Sequence, residues 1–151
     1  MKKIVTIAAI LFLTSACMAV KHKGPGKVEL TNKGKAAAVI ESIEIGNPEP
    51  IGYIDPHKYI QHDLAVGDGL AGLGEALEAM AVAGTPMLYT KTHMIFGEGN
   101  FVLAVSEGKF LGKHADFYDL FRIESGKIVE QFDTIEEIPA KELWKNSNGT
   151  C

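Results

Sequence analysis

Cysteine is scarce in this chain, two in 151 residues, and the two stand far apart, Cys17 near the start and Cys151 at the end. Such a pair builds no disulfide framework and carries no zinc or redox signature, and we read both as non-catalytic. His57 and His62 lack the spacing of a zinc motif, and no compact ligand set stands elsewhere, so no metal is expected. Gly67, Gly69, Gly72 and Gly74 follow no phosphate-loop pattern, and no lysine stands where such a loop needs one. Arginine occurs once, at Arg122, in a chain of net charge −4. Phosphate contacts need clustered cations, so nucleic acid is excluded as a partner. No apolar run approaches the roughly 20 residues that span a bilayer. Long polar or repetitive tracts are missing too, and one globular domain is the expectation for this length.

What the chain does have begins at its front. Lys2 and Lys3 precede an almost unbroken apolar run, Ile4 to Leu13, closed by Thr14, Ser15 and Ala16 before Cys17. That layout, with an apolar run about half the length a bilayer needs, is a secretory signal over residues 1–17. The string Leu13-Thr14-Ser15-Ala16-Cys17 resembles a bacterial lipobox, which implies diacylation of Cys17 and a periplasmic lipoprotein anchored to the membrane. Cleavage after Ala16 or Ala19 is the alternative and leaves a soluble periplasmic or secreted protein. Residues 1–35 hold seven lysines against Glu29 alone, a formal +6 that leaves −10 for residues 36–151. Residues 18–34, rich in Lys and Gly, read as a flexible basic tether, free to lie against anionic headgroups or simply kept solvated by its lysines.

The folded part is expected over residues 35–139. Ala36, Val39, Ile40 and Ile43 recur at helical steps between Lys33 and Ile45, and Gly46-Asn47-Pro48 stops that helix. A short helical turn near Ile51–Ile54 and a short strand over Tyr59–His62 follow. After Gly67-Asp68-Gly69, the residues Leu70, Leu73, Ala76, Leu77 and Met80 mark a second helix ending near Gly84. From Met87 the period changes to two, and Met87–Phe96, Phe101–Glu107, Lys109–Ile123 and Lys127–Glu137 read as strands, with breaks at Gly97–Asn100, Gly108 and Ser125-Gly126. Helices first and long consecutive strands after them predict an α+β fold, an antiparallel meander covered on one face by helices. Residues 140–151 read as a polar tail in which Trp144 is exposed or folds back over a pocket edge. Tyr89 and His93 share a strand face in this reading, and they and His114 are assigned structural roles.

Chemistry concentrates in the last hairpin. A two-residue turn at Ser125-Gly126 would set Ile123 opposite Ile128 and put Asp119 and Asp133 on opposite faces. A three-residue loop with Gly126 left-handed sets Ile123 opposite Lys127, and we favour it because it asks for positive φ at the glycine only. Phe117, Asp119, Phe121 and Ile123 then share a face with Val129, Gln131, Asp133 and Ile135, while Arg122, Ile128, Glu130 and Phe132 take the other. Two carboxyls in apolar surroundings resist ionisation and push each other's titration apart, which suits proton transfer near neutral pH.

Tyr59-Ile60-Gln61-His62-Asp63, Gly67-Asp68-Gly69 and the run from Asp119-Leu120-Phe121-Arg122 to Gly126-Lys127-Ile128-Val129-Glu130-Gln131-Phe132-Asp133 resemble the SnoaL-like polyketide cyclase family of the nuclear transport factor 2-like superfamily. The resemblance implies a cone-shaped curved antiparallel sheet with N-terminal helices enclosing a pocket, a homodimer, and no metal or organic cofactor. It implies a cavity aspartate as acid/base for aldol cyclisation, which by position is Asp133 with Asp119 as its partner. Gln131, His62, Phe121 and Tyr59 are the candidate ligand-binding residues. Gln131 and Phe132 depart from the family's His and Trp, which bears on catalysis and not on the fold. Two functions follow: a cofactor-free acid/base enzyme acting beside a carbonyl on a small apolar or aromatic molecule, or a non-catalytic binding or dimerisation module at the cell envelope. Lipid attachment is read directly by metabolic labelling with a fatty acid: wild type takes up label, Cys17→Ser does not, and an unlabelled wild type would refute the anchor.

Overall fold

The computed structural model describes residues 29–150; the expected signal and lipidation site at Cys17, most of the expected tether and Cys151 lie outside the described residues. Two helices, α1 (Asn32–Ile45) and α2 (Gly69–Val82), precede or interrupt five strands, β1 (Ile60–Gln61), β2 (Leu88–Glu98), β3 (Phe101–Phe110), β4 (Lys113–Glu124) and β5 (Lys127–Glu137). They form one curled sheet in the order β1-β5-β4-β3-β2, antiparallel except for the short β1, which pairs parallel with β5. This is the α+β architecture expected from helices followed by a period-two region.

Helix α1 forms where the apolar spacing predicts it. Thr31 caps its start by accepting the Gly34 amide at 3.2 Å, and Gly46 ends it in the left-handed conformation with φ 67°. Its buried stripe, Ala36, Val39 and Ile40, packs into one core with Val102, Ala104, Phe117, Phe121, Ile123 and Ile128 from the sheet. Lys35, on the first turn, is itself buried: its Nζ donates to the Gly126 carbonyl at 3.0 Å and to Glu29 Oε1 at 2.9 Å, tying the helix to the tip of the last hairpin. A lysine can be buried there because its charge is paired and its protons have acceptors.

That hairpin corrects the register argument. The turn is the two-residue one: Glu124 pairs with Lys127 and Ile123 with Ile128, and Ser125 (φ 49°) and Gly126 (φ 78°) both take positive φ. Two residues of positive φ make the turn whose twist matches that of the strands, so strand pairing overrides the reluctance of Ser125. The expected separation of the two aspartates does not follow, because one residue later the ladder slips. Arg122 pairs with Glu130, leaving Val129 as an extra residue in β5. The bulge restores the face, and Asp119 stands directly across from Asp133. The turn itself puts Ile128 in the core, across from Ile123, where the sequence reading had it on the outer face.

A second correction concerns Gly108, read as a break between strands. It lies within β3 opposite Tyr89 and Ala115, and the β3–β4 turn is Leu111-Gly112. A Cβ at Gly108 would overlap the Leu88 carbonyl oxygen, so the glycine is there for close approach of β2 and not for a turn. The outer face of the sheet carries a cross-strand row, Phe96, Leu103, Leu120 and Phe132, with Phe96 56% exposed. The tail returns to the sheet, where the Thr150 hydroxyl donates to Asp116 Oδ1 at 2.9 Å, and the Trp144 indole caps the Pro139 carbonyl rather than a pocket.

Candidate functional site

Helix α2 is apolar, yet Gly72 is its sole buried residue among those described. Its side chains Leu73, Ala76, Leu77 and Met80 face a cavity of about 280 Å³ bounded on the other sides by Val39, Ile40 and Ile43 of α1 and by the core face of the sheet. The helix therefore stands off from the sheet, and its apolar stripe looks onto space that protein atoms leave unfilled. A cavity of this size lies near the lower end of what small-molecule sites offer. Polar groups enter it at one end only: Gln61, Asp63, Gln131, Asp133 and Tyr89.

Beneath this polar end lies a closed hydrogen-bonded set. The Tyr59 hydroxyl donates to Gln131 Oε1, Gln131 Nε2 donates to Asp119 Oδ1 at 2.9 Å, and the Tyr89 hydroxyl donates to Asp119 Oδ2 at 3.1 Å. Asp119 is only 1% exposed and does not line the cavity; Tyr89 and Gln131, which do, cover it. Among the described residues no lysine, arginine or histidine hydrogen-bonds this carboxyl. Burial, reinforced by the charge of Asp133 across the ladder and only partly opposed by the bonds from Tyr89 and Gln131, pushes Asp119 up to about 7. Asp133 is less enclosed, and its carboxyl is raised by burial first and by the neighbouring Asp63 second. Burial and these same carboxylates hold the hydroxyls of Tyr59 and Tyr89 protonated well beyond neutral pH.

Of the residues picked out from sequence, Asp119, Asp133, Gln131, Tyr59 and Phe121 are thus brought together, with Asp133, Gln131 and Phe121 on the cavity wall and Asp119 and Tyr59 behind it. His62 is not. Its ring stacks on Phe132 with centroids 3.9 Å apart, and its Nε2 meets Glu130 Oε1 at 2.8 Å, while Arg122 donates to Oε2 of the same carboxylate. Strand β1 ends at Gln61, and the next residue turns to the outer face, so His62 belongs to a surface ion network and does not reach the pocket.

Tyr89, Gln61 and Asp63 are the polar cavity residues that sequence reasoning passed over. Alternation in β2 puts Tyr89 and His93 on one face, but β2 slips register past Thr90 and past His93. Tyr89 consequently turns inward, tilted against Phe117 at 4.7 Å, while His93 joins His114 on Glu107 outside. The available signal was the pair of small residues, Gly108 and Ala115, in the cross-strand row of Tyr89, and it becomes readable only once the pairing is known.

No family model matches the chain, and no curated protein matches it. Solved structures do. A protein of unknown function with a cystatin-like fold from Xanthomonas campestris is 26% identical with a TM-score of 0.60, the match covering 72% of this chain and 92% of that one. A nuclear transport factor 2-like protein of unknown function from Cytophaga hutchinsonii is 18% identical, TM-score 0.59, covering 73% and 94%. IdmH from Streptomyces antibioticus, described as a candidate polyketide cyclase, is 19% identical, TM-score 0.52, covering 71% and 93%.

The buried carboxyl makes stability pH-dependent with a definite sign. Asp119 titrates higher in the folded chain than when unfolded, so the native state binds the extra proton between the two values. Its contribution falls as pH rises from about 4 to about 7 and stays low above that. In urea unfolding, Asp119→Asn should flatten this decline and be more stable than wild type at pH 8 by an amount of the order of a few kcal/mol. Parallel pH profiles for the two proteins would contradict it.

Proposed function

We propose, for a chain that has the nuclear transport factor 2-like fold, that it is a SnoaL-like small-molecule protein whose cavity performs cofactor-free acid/base chemistry beside a carbonyl. One observation carries this reading: Asp133 is a half-buried carboxyl on the wall of an otherwise apolar cavity, directly across the ladder from a second, fully buried carboxyl. Raised affinity for its proton makes Asp133 a stronger base than a surface carboxylate while leaving it open to the ligand. Apolar walls from α1 and α2 would hold the carbon skeleton of a small apolar or aromatic molecule and keep water from the reacting carbon. Proton removal next to a carbonyl serves isomerisation, aldol cyclisation or dehydration alike, and the likeness of the fold to IdmH is in keeping with the cyclisation reading.

A binding module is the second reading, and Gln131 favours it. Where the SnoaL-like pattern has a histidine, this chain has an amide engaged with Tyr59 on one side and Asp119 on the other, so no titratable ring assists Asp133. The outer row Phe96, Leu103, Leu120 and Phe132 fits pairing with a second copy, since an isologous contact needs a self-complementary apolar patch.

Two measurements test these statements. Exchange of the α-protons of 1-tetralone in deuterated water, followed by proton NMR, should be accelerated by the wild type and about 10²- to 10⁴-fold less by Asp133→Asn. Equal exchange by the variant removes Asp133 from the mechanism, and no acceleration by the wild type leaves the binding module. Sedimentation should give twice the 16.3 kDa chain mass, less whatever leader is removed, and Phe96→Glu should give the single mass; a monomeric wild type refutes pairing.

A further inference from the structure

We propose that Tyr89 is the hydrogen-bond donor to a ligand oxygen in the cavity, and that Asp119 decides whether the Tyr89 proton is available to the ligand. The inference rests on the cavity being a ligand site, as argued above, and goes beyond it by giving a role to a residue that contributes no acid/base step. Tyr89 meets both requirements of position: it lines the cavity, and its hydroxyl lies 3.1 Å from Asp119 Oδ2.

The hydroxyl has a single proton. An ionised carboxylate only accepts, so with Asp119 charged that proton is committed to Oδ2, and the cavity sees the lone pairs of Tyr89. With Asp119 protonated the direction reverses. Oδ1 already accepts from Gln131 Nε2, so the acid proton belongs on Oδ2, where it is donated to the Tyr89 oxygen. Tyr89 then turns its own proton into the cavity, polarised by the bond behind it. A carbonyl oxygen, or the oxyanion that forms when its α-proton leaves, is the group such a donor would hold.

Groups able to alter this switch are few. Facing Asp119 are Tyr89 from β2, Asp133 and Gln131 from β5, and Tyr59 through Gln131, while its β3 neighbour is Ala104. None of these is a cation that would hold the carboxylate ionised, and Asp133 on the far strand opposes a second charge. The carboxyl is accordingly pushed up to about 7, which places the change of state within the range where the protein can be assayed.

Binding of 1-tetralone, compared with tetralin, the same bicycle without the oxygen, isolates the donor. By calorimetry at pH 5.5 and 8.5 the full chain should bind 1-tetralone about tenfold more tightly at the lower pH, the worth of one hydrogen bond, and tetralin equally at both. Tyr89→Phe, which removes one atom, should bind 1-tetralone with the weaker affinity at both pH values. Asp119→Asn should bind it with the tighter affinity at both, because an amide N–H can donate to Tyr89 whatever the pH. A Tyr89→Phe variant that keeps the wild-type pH dependence, or an Asp119→Asn variant that titrates as wild type does, would overturn the proposal while leaving the pocket intact. Failure of wild type to bind tetralin at either pH would instead overturn the ligand-site reading, and this inference with it.

Discussion

A carboxyl group sealed under aromatic rings, with no lysine, arginine or histidine of the described residues bonded to it, is the constraint around which this molecule is arranged. Asp119 is as buried as the phenylalanines on either side of it in β4. Ionised, it would carry a large desolvation penalty; neutral but left without partners, it would still cost about 1–3 kcal/mol. The structure answers with two neutral donors, Tyr89 and Gln131, each of which also faces the cavity. Meeting the needs of Asp119 therefore fixes the polar end of the pocket. Tyr59, just before β1, extends the arrangement by donating to the carbonyl end of the Gln131 amide, and the His62 amide, just after β1, donates to the Gln131 main-chain carbonyl.

The bulge at Val129 is the backbone feature that makes this possible. Without it the two-residue turn would send Asp133 to the outer face and set Phe132 opposite Asp119. With it, two carboxyls and an amide lie on the inner side of adjacent strands, close enough in the ladder for each charge to disfavour the other. The two-residue turn for its part sets Ile128 in the core beneath Ile54, which bridges to it from the loop before β1. Core packing at the hairpin end and the geometry of the site are thus settled by the turn and the bulge together.

Much of the fold was legible because its signals are local. The apolar spacing from Ala36 to Ile43, the Gly46 stop, and the change of period after Pro86 depend on neighbours in sequence, and the elements stand where those signals put them. The shared face of Asp119, Gln131 and Asp133 was also anticipated, but from a turn the molecule does not use; bulge and turn compensate, and only the outcome agrees. Where pairing between strands decides direction, sequence reading failed. His62 was aimed at the cavity because it follows Tyr59 and Gln61, yet it sits against Phe132 and Glu130. Tyr89 was set aside as structural because two register slips in β2 are invisible without the partner strand. Gly108 looked like punctuation, whereas its missing side chain is what lets β2 approach.

These features join the two halves of the functional reading, a cavity left open between α2 and the sheet and a polar wall whose protonation changes near neutrality. The second depends on Asp119 being an uncharged acid over part of the physiological range. The most direct test is a carbon-13 NMR titration of the aspartate side-chain carboxyls, with the Asp119 signal identified by its loss in Asp119→Asn. A midpoint near 7 is expected; a midpoint near 4, where an ordinary exposed aspartate titrates, would contradict the account.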